Sequence, residues 1–303
     1  MKLALPERPQ GNYRGRFAPS PSGLLHFGSL VTALASYLHA KQNHGQWLVR
    51  IEDIDPPREQ AGASEAILKT LETYGLYWDE QVLYQSQQSN YYLDALSQLK
   101  AEHLSYYCQC TRAQIKQRGG IYDGHCKLLN HSKHNSAIRY INHYKINQFN
   151  DLFQGRVEID NKLASEDCIL FRKDGLFAYQ LAVVVDDIYQ QISHIIRGCD
   201  LLEPSARQLS LFATFGHQPP VLGHIPLAIT EQGYKLSKQN KAPAINNLRP
   251  QSVLIQALQF LGQSVETGLE DLSPEEIVAW SVKNFQFTAI PKQQEIVINH
   301  SIF

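Results

Sequence analysis

The chain has 303 residues, of which 43% are hydrophobic and 19% charged, a balance that fits one or two folded domains and excludes collagen-like, coiled-coil and disordered chains. Lys and Arg number 28 against 29 Asp and Glu, a net charge of −1, so no global positive field gathers nucleic acid and an RNA partner has to be met locally. The longest apolar stretch, Phe27 to Leu38, is broken by Gly28, Ser29, Thr32 and Ser36 and is shorter than the about 18 residues of a membrane span, and MKLALPERPQGN is too weakly apolar for a signal peptide, so a cytoplasmic location without a membrane partner is expected.

Residues 14–18 read as a strand entering the turn PSPSG, after which Leu30, Ala33, Leu34, Tyr37 and Leu38 recur at helical spacing. QWLVRIED is a second strand, DPPRE a break, and Glu59 to Tyr74 a helix with Leu68, Leu71 and Tyr74 on one face. QVLY and an amphipathic helix over 88–102 continue this βαβα order, which predicts an α/β protein with a parallel nucleotide-binding sheet. Residues 105–165 are polar, His-rich and turn-rich, with short alternating pieces such as SAIRYIN and GRVEID, and read as an inserted subdomain. Strand-and-helix order returns with FAYQLAVVVDD, the strand SHIIRG, a helix from Glu203 to Phe215 and the strand PPVLGHIPLAI. From Leu248 the signals are helical: SVLIQALQFLG, then SPEEIVAWSVKNF with Ser273 as N-cap and Glu275 two residues after it.

The first candidate site is FAPSPSGLLHFGSL, a strand-to-helix turn with His26 close to a helix N-terminus, where backbone N–H groups and the helix dipole favour an anion and an imidazole can donate to a phosphoryl oxygen. Alone, such a Ser/Pro-rich turn is more often structural. No Walker A or GxGxxG pattern is present in the sequence. The second is the loop Lys235-Leu236-Ser237-Lys238-Gln239, which alone reads as solvated surface. An HxG turn after the first strand and a K-L-S-K loop after the last strand of an α/β unit change that reading. Together they resemble the two signature motifs of class I aminoacyl-tRNA synthetases, and RFAPSPSGLLHFG, LVRIEDID, VVVDD and IIRG are similar to the glutamyl-tRNA synthetase subgroup over residues 14–245. Two departures stand out: the motif usually written HIGH reads His26-Phe27-Gly28-Ser29, and KMSKS reads KLSKQ.

The resemblance implies a Rossmann-like catalytic domain that activates L-glutamate with ATP and Mg2+ to glutamyl-adenylate, a reaction catalysed by positioning and charge stabilisation. His26, Lys238 and Lys235 would be catalytic, with His26, Gly28 and Lys238 holding ATP. A substrate with two carboxylates and an ammonium calls for Arg forks and an acid. Arg16, Phe17, Ala18, Pro19 and Ser20 in RFAPS, Glu52 in RIED, Tyr179 ahead of VVVDD and Arg197 in IIRG fall on the subgroup's motif positions and are the implied glutamate-binding residues.

Five cysteines in a cytosolic chain argue against a disulfide framework, and three of them cluster in CQCTRAQIKQRGGIYDGHC. Cys108, Cys110 and Cys126 suggest tetrahedral zinc, for which His125, His131 and His134 are nearby fourth candidates. In the resembling family, members with a C-x-C and YDGHC arrangement use the Tyr phenolate, which makes Tyr122 the implied ligand and His125 the reserve, in one structural zinc site per chain. Cys168 and Cys199 read as small buried hydrophobes.

Sixty-four residues follow the KLSKQ loop, too few for an anticodon-binding domain of ordinary size. That shortness, with YDGHC and KLSKQN, resembles the glutamyl-queuosine tRNA(Asp) synthetase family, which implies tRNA-independent activation of glutamate and its transfer to queuosine in the wobble position of the anticodon loop of tRNA(Asp). A truncated glutamyl-tRNA synthetase charging a 3′ end and a non-catalytic tRNA- or ATP-binding paralogue are the alternatives. The expected organisation is a first catalytic half over residues 1–103, the zinc-binding insert over 104–190, a second catalytic half over 191–245 and a short helical region over 246–303, in a monomer.

Overall fold

A computed structural model describes residues 2–8, 11–232, 244–245 and 247–298. The strand β1 (Arg14–Phe17) leads through the Ser/Pro turn into helix α1 (Phe27–Gln42), and β2 (Gln46–Ile51) returns parallel to β1 with Arg16 opposite Leu48. Helix α2 (Ala63–Thr73) connects to the short β3 (Leu83–Tyr84), which pairs parallel to β2, and α3 (Ser89–Ala101) follows. The helix expected from Glu59 starts at Ala63, because Pro56–Arg58 forms a 3-10 turn and Gly62 takes φ +76° at the N-cap, a left-handed conformation that glycine adopts without Cβ strain.

The next segment is antiparallel. Strands β4 (Ser105–Cys108), β5 (Ala137–Tyr140) and, further on, β8 (Ile169–Phe171) form one sheet in the order β4-β5-β8, with the short helix α4 (Arg112–Gln117) after β4. Between them, β6 (Gln148–Asp151) and β7 (Gly155–Glu158) form a hairpin, followed by the single turn α5 (Asn161–Ala164). FAYQLAVVVDD is helical rather than a strand, forming α6 (Tyr179–Tyr189). Its consecutive valines are buried on all sides of the helix, which makes a continuous apolar run ambiguous between strand and helix.

Strand β9 (His194–Gly198) and helix α7 (Leu202–Phe215) precede β10 (Val221–Ile225), which pairs parallel to β9 and carries the β6–β7 hairpin on its other side. The start of β9 abuts β1, where the Ser193 N–H donates to the Arg14 carbonyl at 2.9 Å. PPVLGHIPLAI makes two strands instead of one: Pro226 has no N–H to give a ladder, so β10 ends before it and β11 (Leu227–Ile229) pairs with a different partner, β12 (Glu295–Val297). Helices α8 (Pro250–Phe260) and α9 (Pro274–Asn284) lie between them, and α9 is closed by a capping box of Ser273 and Glu276.

Helix α1 is the centre of the largest core. Leu30, Leu34 and Leu38 are fully buried between the sheet and α8 and α9, each contributing about 1.5–3 kcal/mol relative to exposure. Trp47 of β2 is buried beside it and donates its indole N–H to the Ser36 hydroxyl at 2.9 Å.

A buried polar seam joins β1, β2 and α6. The fully buried Arg50 of β2 donates to Asp187 at 2.7 Å and to the Gln190 side-chain oxygen at 3.0 Å, and Arg16 of β1 reaches the two Asp187 oxygens at 3.2 and 3.3 Å. Asp186 accepts from the Gln85 amide at 2.7 Å and the Tyr92 hydroxyl at 2.8 Å. Burial alone would raise the Asp187 carboxyl, and Arg16 and Arg50 together hold it below the ordinary value; burial pushes Asp186 up to about 6. Replacing Arg50 with Met keeps most of the volume but leaves Asp187 with Arg16 alone and takes the nearby cation from the buried Asp186, so a loss of about 3–5 kcal/mol is expected. Urea unfolding reads this directly, and an unchanged midpoint would remove the seam from the fold's support.

Candidate functional site

A cavity of about 630 Å3 opens where β1, β2 and β9 end and α1 and α6 begin. Arg16, Phe17, Ala18, Pro19, Ser20, His26, Gly28, Glu52, Tyr179 and Arg197 all line it. Segments separated by up to 181 positions are thereby brought onto one wall, from Arg16 on β1 to Arg197 on β9. Lys235 and Lys238 lie outside the described residues. Of the described residues beyond them, Ala244 bridges antiparallel to His26 and the Ile245 N–H donates to the Leu25 carbonyl at 3.0 Å.

His26 is the N-cap of α1: its Nδ1 accepts the Ser29 N–H at 3.2 Å, which leaves the ring proton of a neutral imidazole on Nε2, 3.0 Å from the Ser29 hydroxyl. The first turn of α1 carries no acidic residue, so the positive end of the helix dipole faces the cavity without a counter-charge on the helix. A phosphate suits this place. Gly198 ends β9 close to that space, and a Cβ there would stand 2.8 Å from the Leu227 side chain and 2.7 Å from an Asp200 carboxylate oxygen.

The two arginines on the wall differ in electrostatics. Arg16 is paired with Asp187 and shares that carboxylate with Arg50. Arg197 is 3% exposed and has neutral partners: Nε donates to His224 Nε2 at 3.0 Å, and one terminal nitrogen donates to Ser205 Oγ at 2.7 Å and Gln208 Oε1 at 2.8 Å. Its other terminal nitrogen, Nη1, is buried with no hydrogen-bond partner. A buried cation with a spare donor is unfavourable alone and favours an incoming carboxylate. Glu52, half-buried after β2, is pushed up to about 7 by burial, against the pull of Arg50 and Arg16. It therefore sits where an ammonium neighbour would draw it to full ionisation. The Tyr179 hydroxyl, at the start of α6, is held above its usual value by burial.

The cysteine cluster lies apart from this cavity. The Cys108, Cys110 and Cys126 sulfurs fall within 4.8 Å of one another, and those of Cys110 and Cys126 are 3.5 Å apart. Tetrahedral zinc with bonds of about 2.3 Å needs sulfurs about 3.8 Å apart, so the three thiols fit. The Tyr122 hydroxyl shares the cluster, accepting the Cys126 N–H at 2.9 Å while the Arg139 guanidinium lies 3.6 Å from its ring centroid. His125 and His134 are exposed, and neither they nor His131 join the cluster of ligand atoms. Burial pushes the Cys110 thiol up to about 12, whereas hydrogen bonds from the Gln109 backbone and the neighbouring thiols outweigh burial at Cys126 and bring it down to about 6.

Several residues behind the wall carry no sequence signal of their role. Asp187 belongs to the VVVDD segment, but only the fold shows which of the two aspartates reaches Arg16. Ser205, Gln208 and His224 meet Arg197 from α7 and β10, and no fixed spacing announces them.

The family model described as tRNA synthetases class I (E and Q), catalytic domain, matches residues 12–300. A curated protein of Colwellia psychrerythraea named glutamyl-Q tRNA(Asp) synthetase is 59% identical, over 99% of this chain and 98% of that one. Among solved structures, a glutamate-tRNA synthetase from Elizabethkingia anophelis shares the fold at a TM-score of 0.78 and 24% identity, over 96% of this chain and 69% of that one. A glutamate tRNA ligase from Elizabethkingia meningosepticum, in complex with its amino acid, superposes with a TM-score of 0.76 at 25% identity, over 93% of this chain and 66% of that one. The chain belongs to the class I tRNA synthetases of the E and Q type and, within them, to the family of ligases named glutamyl-Q tRNA(Asp) synthetase.

Proposed function

We propose that the cavity binds L-glutamate and ATP, forms glutamyl-adenylate without tRNA, and passes the glutamyl group to queuosine at the wobble position of tRNA(Asp). The observation that carries the reading is the spare, buried Nη1 donor of Arg197 on the same wall as Glu52 and beside the α1 N-terminus. Arg197 offers a donor to a substrate carboxylate, Glu52 takes the ammonium, and Arg16, fixed by Asp187, completes the polar wall. Tyr179 and the Phe17–Ser20 turn shape the space between them. The relative's name, with its Q and its tRNA(Asp), supports the acceptor.

In the first step a glutamate α-carboxylate oxygen attacks the α-phosphorus of ATP, forming the acyl phosphate bond as the bond to pyrophosphate breaks. His26 and the α1 N-terminus stabilise the charge that develops on the phosphoryl oxygens, with Gly28 letting the nucleotide approach the helix. By the family resemblance Lys238 and Lys235 are assigned the leaving phosphates, and Mg2+ accompanies ATP as it does in phosphoryl chemistry generally. In the second step a hydroxyl of the modified base's cyclopentenediol attacks the glutamyl carbonyl, its proton is lost, and AMP leaves. Tight binding is not the source of rate here; holding the three reacting parts in line is.

Cys108, Cys110, Cys126 and Tyr122 are assigned one structural zinc ion, which would tie β4 to the polar loop before β5. The site's function is conformational: the loop has few apolar residues of its own, and its exposed Leu128 and Leu129 make no core.

Two outcomes follow. Glutamate-dependent pyrophosphate exchange is expected without tRNA, and Arg16→Ala should lower it about 10- to 100-fold, the span for a lost hydrogen bond to a charged group; exchange that needs tRNA, or is untouched by the substitution, contradicts the assignment. Metal analysis should find about one zinc per wild-type chain and markedly less in Cys110→Ser, whereas equal zinc in both proteins rules the cluster out as its site.

A further inference from the structure

The Arg197 guanidinium is held by a buried chain of contacts that ends on the β6–β7 hairpin. Asp151, the last residue of β6, accepts from His224 Nδ1 at 2.6 Å with its Oδ2, and its Oδ1 accepts the backbone N–H groups of His224, Phe153 and Gln154 at 3.0 Å each. His224 Nε2 in turn accepts from Arg197 Nε at 3.0 Å. The side chains of His224 and Asp151 are both 0% exposed. Ser205, His224 and Asp151 have the spacing of a hydrolytic triad, with Ser205 Oγ 3.2 Å from Nε2, but the Ser205 hydroxyl is buried and already donates to the Leu201 carbonyl at 2.6 Å. A nucleophile is therefore not what these residues provide.

The protons are fixed by elimination. Asp151 Oδ2 can only accept, so the imidazole proton is on Nδ1; Nε2 is then a bare lone pair, the one acceptor that Arg197 Nε meets. We propose that Asp151 and His224 are positioning residues for the glutamate carboxylate: Asp151 sets the His224 tautomer, His224 holds Arg197 by a neutral acceptor, and the guanidinium keeps its full charge and its free Nη1 for the substrate. A carboxylate in place of His224 would hold Arg197 equally well but would neutralise it. This inference rests on Arg197 being the carboxylate anchor of the proposed reaction.

Asp151→Asn tests it with almost no change of shape. The Asn oxygen retains the three backbone N–H groups, so the amide nitrogen faces His224 Nδ1 and donates, which moves the ring proton to Nε2 and sets it against the Arg197 Nε–H. KM for glutamate in pyrophosphate exchange is expected to rise about 10- to 100-fold, the span for a lost hydrogen bond to a charged group, while KM for ATP stays within about twofold. Adding His224→Gln restores an acceptor oxygen at the Nε2 position regardless of residue 151, so the double variant should recover most of the glutamate affinity. Equal changes in both KM values, or no recovery in the double variant, would reduce the pair to a structural role and overturn the proposal. Arg197→Ala separates the two levels of inference: an unchanged glutamate KM there defeats the carboxylate-anchor reading itself, whereas a raised KM there with a wild-type value in Asp151→Asn defeats only the positioning role. Imidazole 15N shifts of the wild-type protein give a check independent of any variant's folding, with Nδ1 protonated and Nε2 bare expected and the reverse tautomer contradicting the mechanism.

Discussion

The fold turns on one carboxylate that two arginines share. Asp187, buried on α6, accepts from Arg16 on β1 and Arg50 on β2, and so fixes the angle at which a helix from the second half of the chain meets two strands of the first. Such a group is costly to bury, and burial becomes tolerable here because both Asp187 oxygens accept from guanidinium groups, with Gln190, Gln85, Tyr92 and Asp186 extending the network, although Arg50 Nε and the Gln85 side-chain oxygen are buried without a hydrogen-bond partner. The consequence for the site is geometric. Arg16 cannot move toward a ligand without leaving Asp187, so this side of the cavity is preformed rather than assembled on binding.

On the same wall a second arginine is treated in the opposite manner. Arg197 is enclosed by a histidine, a serine and a glutamine, none of which carries a compensating charge, and one of its donors is left over. Glu52 lines the same cavity with a carboxyl raised to about 7. Below its ordinary value near 4.5 the protonated form is the same folded or unfolded, and as pH rises through 7 the folded chain increasingly bears the cost of an ionised, poorly solvated Glu52. A substrate with a cationic amine and an anionic end offsets both costs at once. On the proposed reading, selectivity arises from charges left incomplete in the free protein.

Much of this was legible in the residues. The resemblance to the glutamyl-tRNA synthetase subgroup singled out Arg16, His26, Glu52 and Arg197, and the fold brings all four to one cavity at the ends of β1, β2 and β9, where ligands meet an open parallel sheet. Helices α1, α3, α7, α8 and α9 followed from apolar spacing and caps. The parts that were not legible depend on contacts without sequence periodicity. The AVVVDDI segment is buried on every side, which leaves its apolar run without a helical period, Pro226 divides what hydropathy presents as one strand, and His224 finds Asp151 across 73 positions. The cysteine cluster is intermediate: C-x-C and YDGHC suggest three thiol ligands by spacing, Tyr122 was implied by the family resemblance alone, and the fold brings its hydroxyl to the Cys126 N–H beside the cluster.

The central claim is that the activated glutamyl group goes to an anticodon base. Its most direct test is to incubate the protein with ATP, magnesium, labelled glutamate and unfractionated tRNA, digest with a guanine-specific ribonuclease, and locate the label. Label on an anticodon-loop fragment of tRNA(Asp), absent when the tRNA comes from queuosine-deficient cells, is the predicted result. Label on the 3′-terminal fragment would contradict it and make the chain a charging enzyme.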